Sequence, residues 1–272
     1  MHLRWQLFVV AGLLAGCKTA GAPPSTTPAS ASAEPAQADD EEPLAQAADD
    51  ARRHEAALAE NQKFLADHAN DPEQAAAVMV ATLRIGKSQA ALGRHDEAKA
   101  SYRDVVSRFE SAGFSNATEE ADSPAEATFL LAEYDLAEVM NQRLVGNGTS
   151  LEESTKALFD SLVEAAASYD AVFPYRRLEW VLAAMVRRGQ AFEDVAAKLR
   201  AHPPPAELTE PNALQAYQKL VEDFAVKLDS KAIQLYSAAV ARGKEFSIDN
   251  EWTQSAAVHL AKLQAPGNED QS

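Results

Sequence analysis

The segment MVATLRIGKSQAALGRHDEAKASYRDVVSRF, residues 79–109, decides the fold class of this chain. Apolar and small residues recur every three or four positions on either side of Gly93, as they do along two amphipathic helices. Glycine adopts at little cost the left-handed backbone conformation that ends a helix, so Gly93 marks the turn. The segment therefore predicts a hairpin of two antiparallel helices.

This hairpin resembles the tetratricopeptide repeat (TPR), a family of helical hairpins that stack side by side. The resemblance rests on residues at the small, apolar and aromatic positions of the repeat: Ile85, Gly86, Gly93, Ala98, Tyr102 and Val105. It implies that Gly86 and Ala98 are small so that the two helices approach closely, and that Tyr102 packs in the groove between repeats. Gln89 and His95 stand where the family usually has large aromatic residues, and we interpret His95 as a repeat-packing residue.

A single repeat cannot bury its own apolar face, so helices must precede and follow it. Residues 49–68 are predicted to be the second helix of a degenerate preceding repeat, followed by the stop and cap Asn-Asp-Pro at 70–72,. An acidic loop is predicted over 110–122 and a glycine turn over 146–148.

The remaining helices follow from capping residues, apolar periodicity and breakers. One helix is predicted to start at Ser123 and another at Ser150. Two shorter helices are predicted over 175–186 and 192–199, with a break at 187–190. A long helix is predicted to run from Pro211 with a restart at 229–230, and the final helix to start at Asn250,. Because runs of alternating β-branched residues are missing, the predicted class is all-α, a right-handed α-solenoid of TPR-like hairpins.

The first sixteen residues, MHLRWQLFVVAGLLAG, have the layout of a secretory signal peptide,. The sequence LAGC at 14–17 resembles the lipobox of bacterial lipoproteins, in which the cysteine receives a diacylglycerol and the chain is cut before it. The resemblance implies a lipid on Cys17, the only cysteine, which leaves no thiol for a disulfide or a metal,. Lys18 replaces the aspartate typical of inner-membrane retention, which favours the outer membrane, facing the periplasm.

The amino-acid composition divides the rest of the chain into a linker, a helical domain and a tail. Residues 17–43 contain no large apolar side chain and are predicted to form a lipidated flexible linker,. A helical domain is expected over 44–265 and a loose tail over 266–272. The net charge of −16, from 41 acidic and 25 basic residues, argues against binding to nucleic acid or to anionic lipid through charge,.

No residue pattern for chemistry is found in the sequence. No histidines lie at i, i+4 spacing, and neither a glycine-rich phosphate loop nor a Gly-x-Ser-x-Gly nucleophile motif occurs,. We therefore predict no catalytic residue, cofactor or metal. The arginine doublets at 176–177 and 187–188 are interpreted as solvated helix ends. Most aromatic residues fall on apolar helical stripes, and the sequence leaves open which of them face the concave side, where such repeats hold peptides,.

The sequence of the C-terminal third of the chain carries a second resemblance. RRGQAFEDVAAKLRAHPPP (187–205), LDSKAIQLYSAAV (228–240) and DNEWTQSAAVHL (249–260) are similar to TPR envelope proteins of the myxobacterial gliding-motility type. The resemblance implies a structural part in a large envelope complex and brings no catalytic residue with it.

These observations favour a non-catalytic, lipid-anchored adaptor that binds other proteins of a cell-envelope complex, in gliding motility or transport. Two alternatives stay open: a lipoprotein of the outer-membrane protein assembly machinery, and an activator of a cell-wall enzyme. The oligomeric state is left undetermined by the sequence.

The lipid anchor is testable by substitution of Cys17. In cells fed labelled palmitate, the unaltered chain should take up label and sediment with membranes. Cys17→Ser should do neither, because a serine hydroxyl does not replace the thiolate as acyl acceptor. Equal label in the two chains would contradict the lipobox interpretation.

Overall fold

The computed structural model describes residues 41–142, 148–206 and 208–265, all of them helix, turn or connecting segment. The predicted signal peptide, Cys17, most of the predicted linker, the turn residues 146–147 and the tail from residue 266 lie outside these ranges. No strand occurs within them, and the all-α prediction is confirmed. None of the helices in these ranges is both long and apolar enough to cross a membrane.

Eight α-helices are found in the described residues: α1 (Glu41–His68), α2 (Ala75–Ala91), α3 (His95–Ala112), α4 (Asp122–Met140), α5 (Gly148–Ser168), α6 (Leu178–Ala201), α7 (Pro211–Glu245) and α8 (Glu251–Gln264). Short 3-10 segments at Pro72–Gln74 and Glu119–Ala121 lead into α2 and α4, and a longer one at Tyr169–Tyr175 follows α5.

The helices pack mainly against their neighbours along the chain. From α2 onward each helix contacts the next, and α2, α4, α6 and α8 also contact one another in that order. The described residues from Ala45 onward belong to one compact unit. Two clusters of buried side chains fill it, one among α2, α3 and α4 and a larger one from α4 to α8. This is the arrangement of a stack of helical hairpins.

The predicted hairpin is formed by α2 and α3. Gly93 follows α2 with φ +75°, and the next amide donates to the Gln89 carbonyl at 2.8 Å. A Cβ on Gly86 would lie 2.5 Å from Cε1 of Tyr102, so the ring lies directly over the glycine. Ala98, one turn before Tyr102, is fully buried. The absence of a side chain at residue 86 sets the distance between the two helices.

The same contact recurs between α6 and α7. A Cβ on Gly189 would lie 2.6 Å from Cε1 of Tyr236, and Ala232, one turn before that tyrosine, is fully buried. The predicted break at 187–190 is therefore wrong: α6 runs unbroken through Gly189 and pairs with α7. The glycine serves close helix packing, not helix termination.

Three other predicted boundaries are also wrong. The acidic loop is shorter than expected, since α3 continues to Ala112 and ends at Gly113 with φ +69°. Ser123 does not cap α4, because the 3-10 turn at Glu119–Ala121 continues directly into the helix. Nor does Ser150 cap α5, which already begins at Gly148.

The predicted restart within α7 does not occur either. The Asp229 carboxylate accepts a hydrogen bond from Arg200 at 2.7 Å, and the Ser230 hydroxyl donates to the Val226 carbonyl at 2.8 Å. Both polar side chains find partners while the backbone stays helical, so the helix has no reason to break.

The predicted caps at Asp71 and Asn250 are confirmed. Asp71 accepts from the amide of Glu73 at 3.0 Å before the proline-initiated turn. Asn250 and Thr253 form a reciprocal capping box at the start of α8,. In each case the residues involved are within three positions of one another, so the sequence alone specifies the geometry.

Substitution of Gly189 tests the close approach of α6 and α7. Gly189→Ala should lower the free energy of unfolding by about 1–3 kcal/mol, because the added methyl overlaps the Tyr236 ring. Alanine's higher helix propensity, about 0.5–1 kcal/mol, is too small to offset this cost. Urea denaturation followed by circular dichroism measures the change.

The matched control places Gly189→Ala in a Tyr236→Leu background, where the ring atoms over the glycine are missing. The penalty should vanish there, and alanine should become neutral or stabilising. A penalty of the same size in both backgrounds would show that the ring is not its cause.

Candidate functional site

The structure places the predicted repeat residues in the α2–α3 contact. Ile85, Gly86, Ala98 and Tyr102 are buried there, whereas Gly93 is exposed at the turn. His95, interpreted from the sequence as a packing residue, is exposed at the start of α3. Its ring lies T-shaped to that of Tyr134, with centroids 5.7 Å apart, and its Nδ1 is 3.3 Å from the Tyr134 hydroxyl.

Side chains fill the region where α4, α6 and α8 come together. Phe129 of α4 lies with its ring centroid 5.4 Å from that of Trp180 of α6 and 5.8 Å from that of Trp252 of α8. Tyr169 adds a fourth ring at 5.7 Å from Phe129. These aromatic residues pack on one another. Trp180, Tyr169 and Trp252 thus take part in packing between helices, in agreement with their places on apolar helical stripes.

A half-buried ion pair joins α4 to α6 beside these rings. Arg187 donates to both carboxylate oxygens of Glu133, at 2.7 and 2.8 Å, and to Gln190 at 2.7 Å. The Tyr169 hydroxyl also donates to Glu133. Burial and the nearby Glu133 charge raise the pKa of Tyr169. The interpretation of Arg187 as a solvated helix end is wrong, because it connects two helices.

Glu193 connects α6 to both α7 and α8. It is buried, with 7% of its surface exposed, and accepts from the Tyr236 hydroxyl at 3.1 Å. It also lies 2.7 Å from Nδ1 of His259 and 2.6 Å from Nζ of Lys262. Burial alone would raise the pKa of Glu193, but the hydrogen bonds from Lys262 and His259 outweigh it and lower that pKa.

An acidic groove of about 690 Å³ lies at the first turns of α2, α4 and α6. Its polar lining is mainly carboxylate, from Glu119, Glu120, Asp122 and Glu179, with Arg177 beside them. Burial and the neighbouring acidic groups raise the pKa of Glu179. Carboxylates at helix N-termini compensate the helix dipole, which accounts for their presence without a ligand.

A second groove, of about 580 Å³, lies between α6, α7 and the turn that follows the 3-10 segment. Its walls are apolar, formed by Phe173, Leu178, Val181, Met185, Leu235 and Phe246. Three arginines also line it, and none of its lining residues is acidic: Arg176, Arg188 and Arg242. We refer to it as the arginine groove.

The arginine groove is built from regular helix faces. The α6 residues 178, 181, 185 and 188 follow at three- and four-residue steps, and so form one stripe,. Arg187 and Gln190 leave α6 on a different side, toward α4 and α8. The groove is therefore on the other side of α6 from the packed aromatic residues.

Two of its arginines have unusual settings. Arg176 adopts φ +57°, a left-handed conformation that costs a residue with a side chain roughly 1–2 kcal/mol,. Arg188 pairs with Asp170, yet its Nε is buried without a hydrogen-bond partner in the described part of the chain. Strained backbone and unpaired buried donors are typical of ligand-binding positions.

In the residues described, no group of three or more His, Cys, Asp or Glu is able to hold a metal ion. The arginine groove offers cationic donors beside an apolar wall, which is the chemistry of recognition of an anionic, partly apolar group. Comparison with protein-family models, curated proteins and solved structures finds no match to this chain.

Sequence reasoning missed the arginine groove because its arginines come from three separate segments. The doublets at 176–177 and 187–188 were visible, but Arg242 lies on another helix. A signal existed in α6 itself, where Leu178, Val181 and Met185 precede Arg188 at helical spacing. Because a helix break was predicted at 187–190, Arg188 was not placed on the same helix face as Leu178, Val181 and Met185.

The lowered pKa of Glu193 predicts a pH-dependent contribution to stability. Because the folded-state value lies below the ordinary 4.5, this contribution is fully present above pH 4.5 and is lost as the pH falls through the folded value. Glu193→Gln should lower the free energy of unfolding by about 1–3 kcal/mol at neutral pH. The difference in free energy of unfolding between the variant and the unaltered protein should become smaller in acid. Urea titrations at several pH values measure this difference.

Glu60→Gln is the matched control, since Glu60 is an exposed residue of α1. It should change the unfolding free energy by no more than about 0.5 kcal/mol at any pH in the series. If the loss of unfolding free energy in Glu193→Gln stayed the same as the pH fell, the lowered pKa of Glu193 would be contradicted.

Proposed function

We propose that the chain is a lipid-anchored adaptor of the TPR type, held at the bacterial outer membrane through Cys17 and binding other proteins of a cell-envelope complex. The proposal combines the lipobox resemblance with the stack of helical hairpins. It assigns the chain no chemistry of its own.

The observation that carries the proposal is the repeated glycine–tyrosine contact, at Gly86 with Tyr102 and at Gly189 with Tyr236. The contact places successive helices side by side at close range, so the stack presents rigid faces with grooves between them. Such surfaces are suited to bind extended or helical segments of other proteins, and preorganisation reduces the entropy cost of binding.

Charge supports a protein partner. With 41 acidic residues against 25 basic ones, the chain is repelled by nucleic acid and by anionic membrane surfaces,. Its larger exposed apolar side chains are on different helices, among them Val80 of α2 and Val258 of α8. Apolar side chains exposed on a rigid, charged surface are the usual contact points of transient interfaces.

Site-specific photocrosslinking in intact cells tests the adaptor function. A photoreactive amino acid is introduced in turn at Val80, Phe246 and Val258, which are 37%, 52% and 69% exposed. At one or more of these positions we expect a discrete, light-dependent adduct with another envelope protein. The identity of the crosslinked protein also distinguishes the three candidate roles: a part in gliding or transport, outer-membrane protein assembly, and activation of a cell-wall enzyme.

The control position is Glu60 of α1, which is exposed and lines neither groove. It should give no adduct, or a weaker one. Absence of any protein adduct from all three test positions would contradict the adaptor proposal.

A further inference from the structure

We propose that the arginine groove binds an acidic peptide segment of a partner protein, with an aromatic or aliphatic side chain between carboxylates. The inference rests on the proposed function, which it extends by naming the surface and the partner's chemistry. Its parts are the apolar stripe of α6, the exposed Phe246, and the three arginines beside them.

The charge of the groove is opposite to that of the whole chain. Three guanidinium groups line it and no lining residue is acidic, while the chain as a whole carries −16. Only Arg188 has a carboxylate partner, Asp170, among the ion pairs of the described residues; Arg176 and Arg242 form none. Unpaired guanidinium groups beside apolar walls bind carboxylates strongly and directionally.

The arginines elsewhere in the helical unit set a useful comparison. Arg187 is held by Glu133, and Arg200 by both Glu222 and Asp229. These side chains already connect helices and have few donors left for a partner. Arg176 and Arg242 form no ion pair among the described residues, and the same holds for Arg84, Arg103 and Arg177. The groove differs in that two such arginines line one site together with apolar side chains.

Backbone strain at Arg176 is independent support. Glycine would adopt φ +57° without cost, yet an arginine stands there at the groove's edge,. Arg176 is also the left-handed residue that ends the 3-10 segment, so the same turn brings its side chain to the groove. Ser247 has a similar angle, φ +53°, but does not line the groove, and so supplies a matched control.

The apolar wall favours a peptide over a lipid headgroup. Leu178, Val181 and Met185 line the groove along α6, with Val181 and Met185 only 8% and 7% exposed, whereas Phe246, which also lines it, is 52% exposed. The groove therefore offers apolar contact to a side chain of a peptide chiefly through Phe246 and the half-buried Leu178,. The negative charge of the chain opposes approach to an anionic bilayer, which a headgroup would require.

A peptide library identifies the preferred chemistry without a known partner. The full chain in detergent micelles is immobilised and used to select from a random peptide library displayed on phage. We expect enrichment of sequences with Asp or Glu on both sides of Leu, Phe or Trp. Enrichment of basic or uncharged sequences, or no enrichment, would overturn the proposal.

Variants then locate the binding surface, with a synthetic copy of the most enriched peptide and fluorescence anisotropy as the readout. Arg176→Gly and Arg242→Gln should each weaken binding about fivefold to tenfold, and raised salt should weaken it further. Ser247→Gly relieves the same strain, and Arg103→Gln removes an exposed arginine of α3; both should bind as the unaltered chain does. Equal affinity for all four variants would overturn the proposal.

Arg176→Gly also guards against a trivial loss of folding. Because glycine relieves the strained conformation, its melting temperature should equal or exceed that of the unaltered chain while binding falls. Loss of both together would assign Arg176 a structural role and overturn its part in the site.

Two outcomes distinguish the peptide-binding groove from a lipid-binding groove and from the adaptor function as a whole. Arginine-dependent binding of the Cys17→Ser chain to phosphatidylglycerol vesicles, without peptide binding, would make the groove a lipid site and overturn the proposal. Protein adducts that persist unchanged in the Arg176→Gly/Arg242→Gln chain would leave the adaptor function standing and remove only the groove from it.

Discussion

The close approach of two helices at a glycine covered by a tyrosine ring is the constraint on which the rest of this structure depends. A mid-helix glycine is unfavourable by about 0.5–1 kcal/mol relative to alanine, so the contact must return more than that through packing. At both Gly86 and Gly189 the ring lies where a methyl group would be. The two tyrosines and the alanines one turn before them are almost wholly buried, and each hairpin is built around that unit.

The second unit differs from the first in how far its helices extend past the glycine. In the α2–α3 hairpin, α2 ends five residues after Gly86, whereas α6 continues from Gly189 to Ala201 and α7 begins at Pro211, well before Ala232. The added turns are held by Arg200, which bonds to Glu222 and Asp229, and by Glu193, which reaches α8 through Lys262. These polar contacts add to the apolar burial of the added turns, where Leu199, Ala225 and Leu228 are almost wholly buried.

Local patterns made much of the fold predictable, and long-range contacts account for what was missed. Gly93, Asp71 and Asn250 act on residues within one turn, and their roles agree with the structure. The role of Gly189 depends on Tyr236 in another helix, so a glycine that looks like a break proves to be a contact. Arg187 is similar: its partner Glu133 lies 54 positions earlier. The grooves require three segments to meet, which no local pattern specifies.

The packing of α4, α6 and α8 also decides where a partner has room. Phe129, Trp180 and Trp252 fill one side of α6, and the Glu133–Arg187 pair seals the same side with polar contacts. On the other side the 3-10 segment ends at Tyr175, and the chain turns sharply at Arg176 into α6. That turn bounds the groove between the 3-10 segment, α6 and α7, where Val181 and Met185 are almost wholly buried. The strained arginine and the groove therefore have one origin, since the turn that bounds the groove also brings Arg176 to its edge.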